Sequence, residues 1–182
     1  GYRTVPGVQY GMGLSTSWKN FEFNILFQGS GKCDFFIGGN GPHAFRNGQT
    51  GNILQTMVDD NQWIPSEISG DVSTENPNAN WPRLTWGNND NNNQKSTFWL
   101  RDGRYIRLKN IELRYNVPTT FTRKFFVSNM QIGFIGENLH TWSPFKLWDP
   151  ENATTDEKNS GVRSGNAYPI NRTYSCYIKL SF

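Results

Sequence analysis

The chain is short of almost everything an enzyme active site is built from. It has only two cysteines, Cys33 and Cys176. They lie far apart, with no Cys-x-x-Cys or Cys/His spacing around either, so neither a metal site nor a structural disulfide has a supporting pattern. His43 and His140 are single imidazoles without ligand partners at metal spacing, and read as solvated or locally hydrogen-bonded groups. There is no Ser-His-Asp arrangement, nucleophile elbow, phosphate-binding glycine loop or general acid/base pair, so the chain is not read as an enzyme and implies no cofactor. No run of about 18 apolar residues occurs, which excludes a transmembrane helix but not a membrane barrel, whose strands signal far more weakly. A hydrophobic content of 35% with a mean hydropathy of −0.67 is thin for the core of a 182-residue domain. The eighteen Lys and Arg stand against fifteen Asp and Glu and are scattered, which gives nucleic-acid binding no support. No apolar leader follows Gly1, and the reading is a mature product or the tail of something longer.

Aromatic residues, at 15% of the chain, are plentiful instead. Both the aromatic girdles of a membrane barrel and a sugar-binding surface would draw on them. Their placement, together with strict alternation, is most telling at the end of the chain. Tyr174, Cys176, Ile178, Leu180 and Phe182 share one face, and Thr173, Ser175, Tyr177, Lys179 and Ser181 the other. A strand of about 9 to 11 residues with apolar residues outward and polar residues inward is what crosses an outer membrane.

The same pattern recurs upstream. Val8, Tyr10, Met12, Leu14 and Trp18 oppose Gln9, Gly11, Gly13, Ser15 and Ser17; after Lys19-Asn20 the alternation resumes with Phe21, Phe23, Ile25 and Phe27 against Glu22, Asn24 and Gln28. This predicts a hairpin with strands near 8–18 and 20–29. From 30 to 96 the pattern dissolves into Gly, Asn, Asp, Pro and Ser, with a possible short helix within 51–62 around Ile53, Leu54, Met57 and Val58. That is far longer than an ordinary connection, so it predicts a functional loop with structure of its own. A long strand is expected over 97–117. Its phase slips, because Ile106 and Leu108 are apolar on even numbers and Ile111, Leu113, Tyr115 and Val117 on odd ones, which places an extra residue near Lys109-Asn110. Asp102-Gly103 is a second candidate irregularity, or else a tight hairpin turn that splits this stretch in two. Strands near 129–142, with Met130, Ile132 and Phe134 outward, and near 170–182 follow, separated by a second long loop over 143–169. Connections therefore alternate short and long, as in an up-and-down transmembrane barrel. Five strands cannot close a barrel whose smallest members need eight, so the chain is expected to be part of a larger all-β barrel. A soluble carbohydrate-binding sandwich is the rival, but inner faces of Gly, Ser, Gln and Asn would leave it without a core.

Several stretches together resemble the C-terminal portion of a SusC/RagA-type TonB-linked outer-membrane transporter. They are Pro6-Gly-Val-Gln-Tyr-Gly-Met-Gly-Leu-Ser15, Trp18 to Gly29, Asn76-Pro-Asn-Ala-Asn-Trp-Pro-Arg-Leu-Thr85, Ser96 to Pro118, Gly136-Glu-Asn-Leu-His-Thr-Trp142, Trp148-Asp-Pro-Glu151 and the terminal strand. The resemblance implies the last five strands of a 22-stranded barrel plugged by an N-terminal domain, importing oligosaccharides or peptides. The partners it implies are the rest of that barrel and its plug, TonB, a SusD-like surface lipoprotein acting as a lid, the barrel-assembly machinery and outer-membrane lipid. It puts the C-terminus in the periplasm and both long loops outside the cell. A purely structural, non-transporting barrel is the further alternative.

On this topology Trp142, Phe145, Trp148, Asp149 and Glu151 stand at the extracellular mouth, as ligand contacts or as girdle and turn residues. Trp63, Trp81 and Trp86 are candidates for ligand or lid contact. Arg101, Arg104, Arg107, Lys109 and Arg114 could line the lumen, pair with plug carboxylates or simply be solvated. Tyr174, Ile178, Leu180 and Phe182 form the expected C-terminal assembly signal.

Overall fold

The computed structural model describes residues 3–39, 41–45, 52–58, 62–87, 89–151, 161–165 and 167–182. Among them ten strands follow in chain order: β1 (Val8–Trp18), β2 (Phe21–Gly31), β3 (Asp34–Ile37), β4 (Gln62–Trp63), β5 (Trp81–Pro82), β6 (Leu100–Asp102), β7 (Tyr105–Val117), β8 (Asn129–Trp142), β9 (Val162–Arg163) and β10 (Thr173–Ser181). The five long ones form a single sheet in the order β1-β2-β7-β8-β10, with every neighbouring pair antiparallel. Strands that alternate in direction and pair in the order they are made need no crossover.

Register makes the two faces of this sheet chemically opposite. Leu14 pairs with Ile25, Ile25 with Ile111, Leu113 with Phe134, and Ile132 with Ile178. Glu22 pairs with Arg114, Arg114 with Gly133, and Gln131 with Lys179. Apolar side chains thus fill one face from edge to edge, yet nothing among the described residues covers them. Met12 is 66% exposed, Leu14 59% and Ile178 62%. A soluble sandwich would bury this face against a second layer.

The phase slip in β7 is a bulge. Between Ile25 and Phe27 on β2 the chain advances two residues, between Leu108 and Ile111 on β7 three, and between Gly136 and His140 on β8 four. The extra residue on β7 is Lys109, and Asn138 on β8 takes a left-handed φ of 53° to absorb the next. With the extra residues taken up, Ile106 and Leu108 return to the apolar face, because a period of two allows no other way to keep hydrophobics on one side. The aromatic ring of Tyr177 lies across Gly133 on the polar face, where any Cβ would overlap it.

The expected strand over 97–117 is in fact two strands in two sheets, divided at Gly103-Arg104. Gly103 donates its amide to the Cys33 carbonyl at 2.8 Å, and a Cβ there would stand 2.7 Å from the Phe35 ring. The chain therefore leaves one structure and enters the other at the residue that has no side chain. The segment before it, β6, pairs with β3, and β3 pairs with β9, giving a three-stranded sheet on the loop end of the barrel-like one. Phe35, Phe36, Ile37, Met57, Trp81, Trp99, Phe145 and Val162 form one buried cluster there, with Leu54, Leu84, Leu100 and Trp148 packed against it. The two long loops, expected as largely irregular, thus fold together into a cap that holds nearly all of the chain's hydrophobic core. Within the stretch read as a short helix, Gln55–Val58 is helical and Met57 is buried, while residues 51 and 59–61 lie outside those described. His43 is buried edge-on against Trp99, ring centroids 4.9 Å apart, rather than solvated.

Two outcomes follow. Ile178→Arg in the complete protein is expected to cost about 2–4 kcal/mol if it lies near the bilayer midplane, read from denaturant unfolding in lipid vesicles. Residues 1–182 expressed alone should aggregate in detergent-free buffer, because two strand edges and an apolar face are left bare; a soluble, cooperatively melting monomer would contradict a membrane role for the sheet.

Candidate functional site

The polar face of the sheet carries a continuous network. Arg114 bonds Glu22 at 3.1 Å and Glu112 at 3.2 Å. Asn116 donates to Glu22 at 2.8 Å and accepts from Gln131 at 2.8 Å, while Asn24 and Tyr177 reach Glu112 at 3.3 and 3.4 Å. Four adjacent strands are joined by these side chains. Partly buried charges need such partners, since an unpaired one is penalised. Arg114 is thus paired inside the wall itself.

A second construction ties the wall to the cap. Arg107, on β7 and only 2% exposed, sets one nitrogen, Nη2, against both oxygens of Asp149 at 2.5 and 2.7 Å and meets Glu151 through Nε at 3.1 Å. Lys109 approaches Glu151 at 3.9 Å. From the cap side Arg163 donates to the Pro150 carbonyl and lies over the Phe35 ring at 4.2 Å; burial pulls its guanidinium below its ordinary value. Asp149 also accepts from the Glu151 amide at 2.9 Å, so the Asp-Pro-Glu turn is held from both directions. The guanidinium turns Nη2 to Asp149 and Nε to Glu151, two carboxylates met by two nitrogens held in one plane, which the single nitrogen of a lysine cannot reproduce.

These placements sort the candidates. Asp149 and Glu151 are engaged by Arg107. Trp81 and Phe145 are core residues, Phe145 edge-on to Phe35 at 5.0 Å and to Trp148 at 4.9 Å. Trp142 closes β8 on the apolar face, beside His140 at 4.4 Å. Trp63 and Trp86 remain exposed on the cap, Trp86 against Phe45 at 5.0 Å. Arg104 pairs with Asp102 at 2.9 Å, and Arg101 donates to the carbonyls of Phe98 and Leu100 at 2.5 and 2.9 Å. The five cations read as one crowded strand therefore divide among wall, bulge and cap. Tyr174, Ile178 and Leu180 stand exposed along the edge strand β10, and Phe182 just beyond its end.

The loop that presents Trp63 is braced by carboxylates. Asp71 accepts from the Ser73 amide at 2.8 Å and Glu75 from the Ser66 amide at 2.7 Å, and these hydrogen bonds hold both carboxyls below their usual range. Because the folded values are depressed, the bracing is complete at neutral pH and is lost as pH falls through the folded values. Sequence reasoning missed β3. Its signal was the short continuous apolar run Phe35-Phe36-Ile37, which suits a strand buried on both faces. The Arg107–Asp149 pair, 42 residues apart, has no local signal at all.

Among the described residues no group of three or more His, Cys, Asp and Glu could hold a metal ion. Two measurements test the clamp and the brace. Arg107→Ala in the complete protein should cost at most about 3–5 kcal/mol, since it leaves two partly buried carboxylates without their cation, and should expose residues near 143–151 to limited proteolysis. Protection factors of the Ser66 and Ser73 amides, corrected for the intrinsic slowing of exchange in acid, should fall as pH drops through the depressed carboxyl values, and protection that persists once both carboxyls are protonated would show that they do not brace this loop.

No family model matches the chain. TonB-dependent receptor P26 of Formosa agariphila is 27% identical over 182 residues, covering 98% of this chain and 17% of that protein. TonB-dependent receptor P3 of the same organism is 27% identical over 187 residues, covering 98% and 16%. This chain spans about one sixth of the length of these relatives. Among solved structures, the RagAB peptide importer matches over all of this chain and 18% of that one, with TM-score 0.68 and 22% identity in its open-open state, and 0.70 and 21% in its closed-closed state. The exposed apolar face, the polar ladder opposite it and this similarity agree: over nearly its whole length the chain is similar to a segment of TonB-dependent receptors.

Proposed function

We propose that this segment forms wall and mouth of an outer-membrane importer that takes up oligosaccharides or peptides by a TonB-driven mechanism. The observation that carries this reading is the five-stranded sheet with an uncovered apolar face and a hydrogen-bonded polar face, crowned at one end by a folded cap. In the complete barrel the apolar face meets lipid, the polar face lines the lumen against the plug, and the capped end faces outward. On this reading the five strands are the last of a plugged 22-stranded barrel, and β10 closes against its first strand. The C-terminus is then periplasmic. Trp63 and Trp86, exposed on the cap, are positioned to meet ligand or a SusD-like lipoprotein seated above it, and aromatic faces suit both sugar rings and peptide side chains. Arg107, Arg114 and their carboxylates stiffen the wall so that force from TonB moves the plug rather than the barrel.

Uptake by cells carrying the complete receptor tests this. Labelled oligosaccharide or peptide should accumulate only with TonB and the neighbouring lipoprotein present, and Trp63→Ala with Trp86→Ala should lower uptake without altering folding; accumulation independent of TonB would overturn the reading. The terminal strand is expected to be the part read by the assembly machinery. Deleting Phe182, which is 89% exposed, removes at most about 1.5–3 kcal/mol of lipid burial. Surface abundance should therefore fall while heat-modifiable mobility of the purified barrel stays as in the parent; unchanged abundance would make Phe182 ordinary strand filling.

A further inference from the structure

At the loop end of the sheet, where the apolar face meets the cap, lies an open cavity of about 440 Å³. Its floor is Tyr10, Ile106 and Trp142. Ile106 and Trp142 pair directly across β7 and β8 on the apolar face, and the Tyr10 hydroxyl is tied to the Tyr105 carbonyl at 2.8 Å. Its upper rim carries Arg104, Ser143 and Lys146. Ser143 donates to the Arg104 carbonyl at 2.8 Å, which fixes the rim backbone. No carboxylate lines the cavity. The Arg104 Nε does contact Asp102 at 2.9 Å, but both side chains are largely solvated, 67% and 41% exposed.

We infer that this cavity is a binding site for a phosphate-bearing membrane lipid, with Arg104 and Lys146 holding the phosphate and Tyr10, Ile106 and Trp142 receiving the start of its acyl chains. The inference rests on the reading of the apolar face as lipid-facing. Two features separate the site from ordinary girdle packing. The concavity is continuous below with the apolar face, so an occupant enters with its chains still in hydrocarbon. Above, two cations without a lining acid complement an anion at the height of the aromatic residues, which is where headgroups lie. A free anion would gain from the cations alone and have no use for the apolar floor. A neutral lipid would fill the floor and leave the cations unmatched.

The complete receptor, purified and delipidated in neutral detergent, provides the test by native mass spectrometry with added lipid. The probes are diphosphoryl lipid A, the same lipid with both phosphates removed, and inorganic phosphate. The expected result is retention of diphosphoryl lipid A, at least about tenfold weaker retention of the dephosphorylated form, as for loss of charge-assisted bonds, and no displacement by millimolar inorganic phosphate. Arg104→Gln with Lys146→Gln should reproduce the loss, and Arg104→Lys with Lys146→Arg should restore binding. Both positions are exposed, and heat-modifiable mobility verifies the fold of each variant. Equal retention of both lipids, displacement by inorganic phosphate or full binding by the double glutamine variant would each overturn the site. Spin labels at 132 and 178 report separately: labels more accessible to water than to oxygen would remove the membrane reading itself, whereas lipid-accessible labels without phosphate selectivity would remove only this site.

Discussion

Peptide groups placed in hydrocarbon have no water to bond, so every amide and carbonyl must find its partner in the chain, and only then can a face of side chains be given over to lipid. The rest of this structure depends on that constraint. It dictates long antiparallel strands whose ladders are complete from β1 to β10. It also allows the usual order of a protein to be turned inside out. The apolar face of the sheet is bare, while the opposite face holds Glu22, Glu112, Arg114, Asn116 and Gln131 in one connected network.

The chain therefore carries two kinds of stability that hardly overlap. The cap folds as a water-soluble unit does, around Phe35, Trp81, Trp99 and Phe145. The sheet takes its hydrophobic stabilisation from the surroundings. The join between them is sharp. Gly103 lets the chain pass under Phe35 from one to the other, and Arg107 reaches from the wall into the Asp149-Pro150-Glu151 turn.

Alternation made the strands legible because a lipid-facing strand obeys it more strictly than a strand in a globular core. Even the irregularity in β7 could be read, since Ile106 and Leu108 fall out of phase with Ile111 and Leu113 and a bulge is the one device that returns them to the same side. The cap resisted the same reasoning. Phe35, Phe36 and Ile37 are all buried and show no period, and their partners come from β6 and β9, more than sixty positions away. The tryptophans were misleading for a related cause: Trp63, Trp81 and Trp86 look alike in a polar stretch, yet Trp81 is core and the other two are exposed.

By itself the sequence determined which faces of the long strands are apolar, roughly where β1, β2, β8 and β10 lie, where the register slips and which connections are long. These are properties of near neighbours, written at a period of two. Only the tertiary structure decided that the two long loops share one core, that 97–117 divides between two sheets at Gly103, and that Asp149 and Glu151 answer Arg107. Those outcomes rest on contacts between segments distant in the chain, whose geometry exists only once the wall has set the loops side by side.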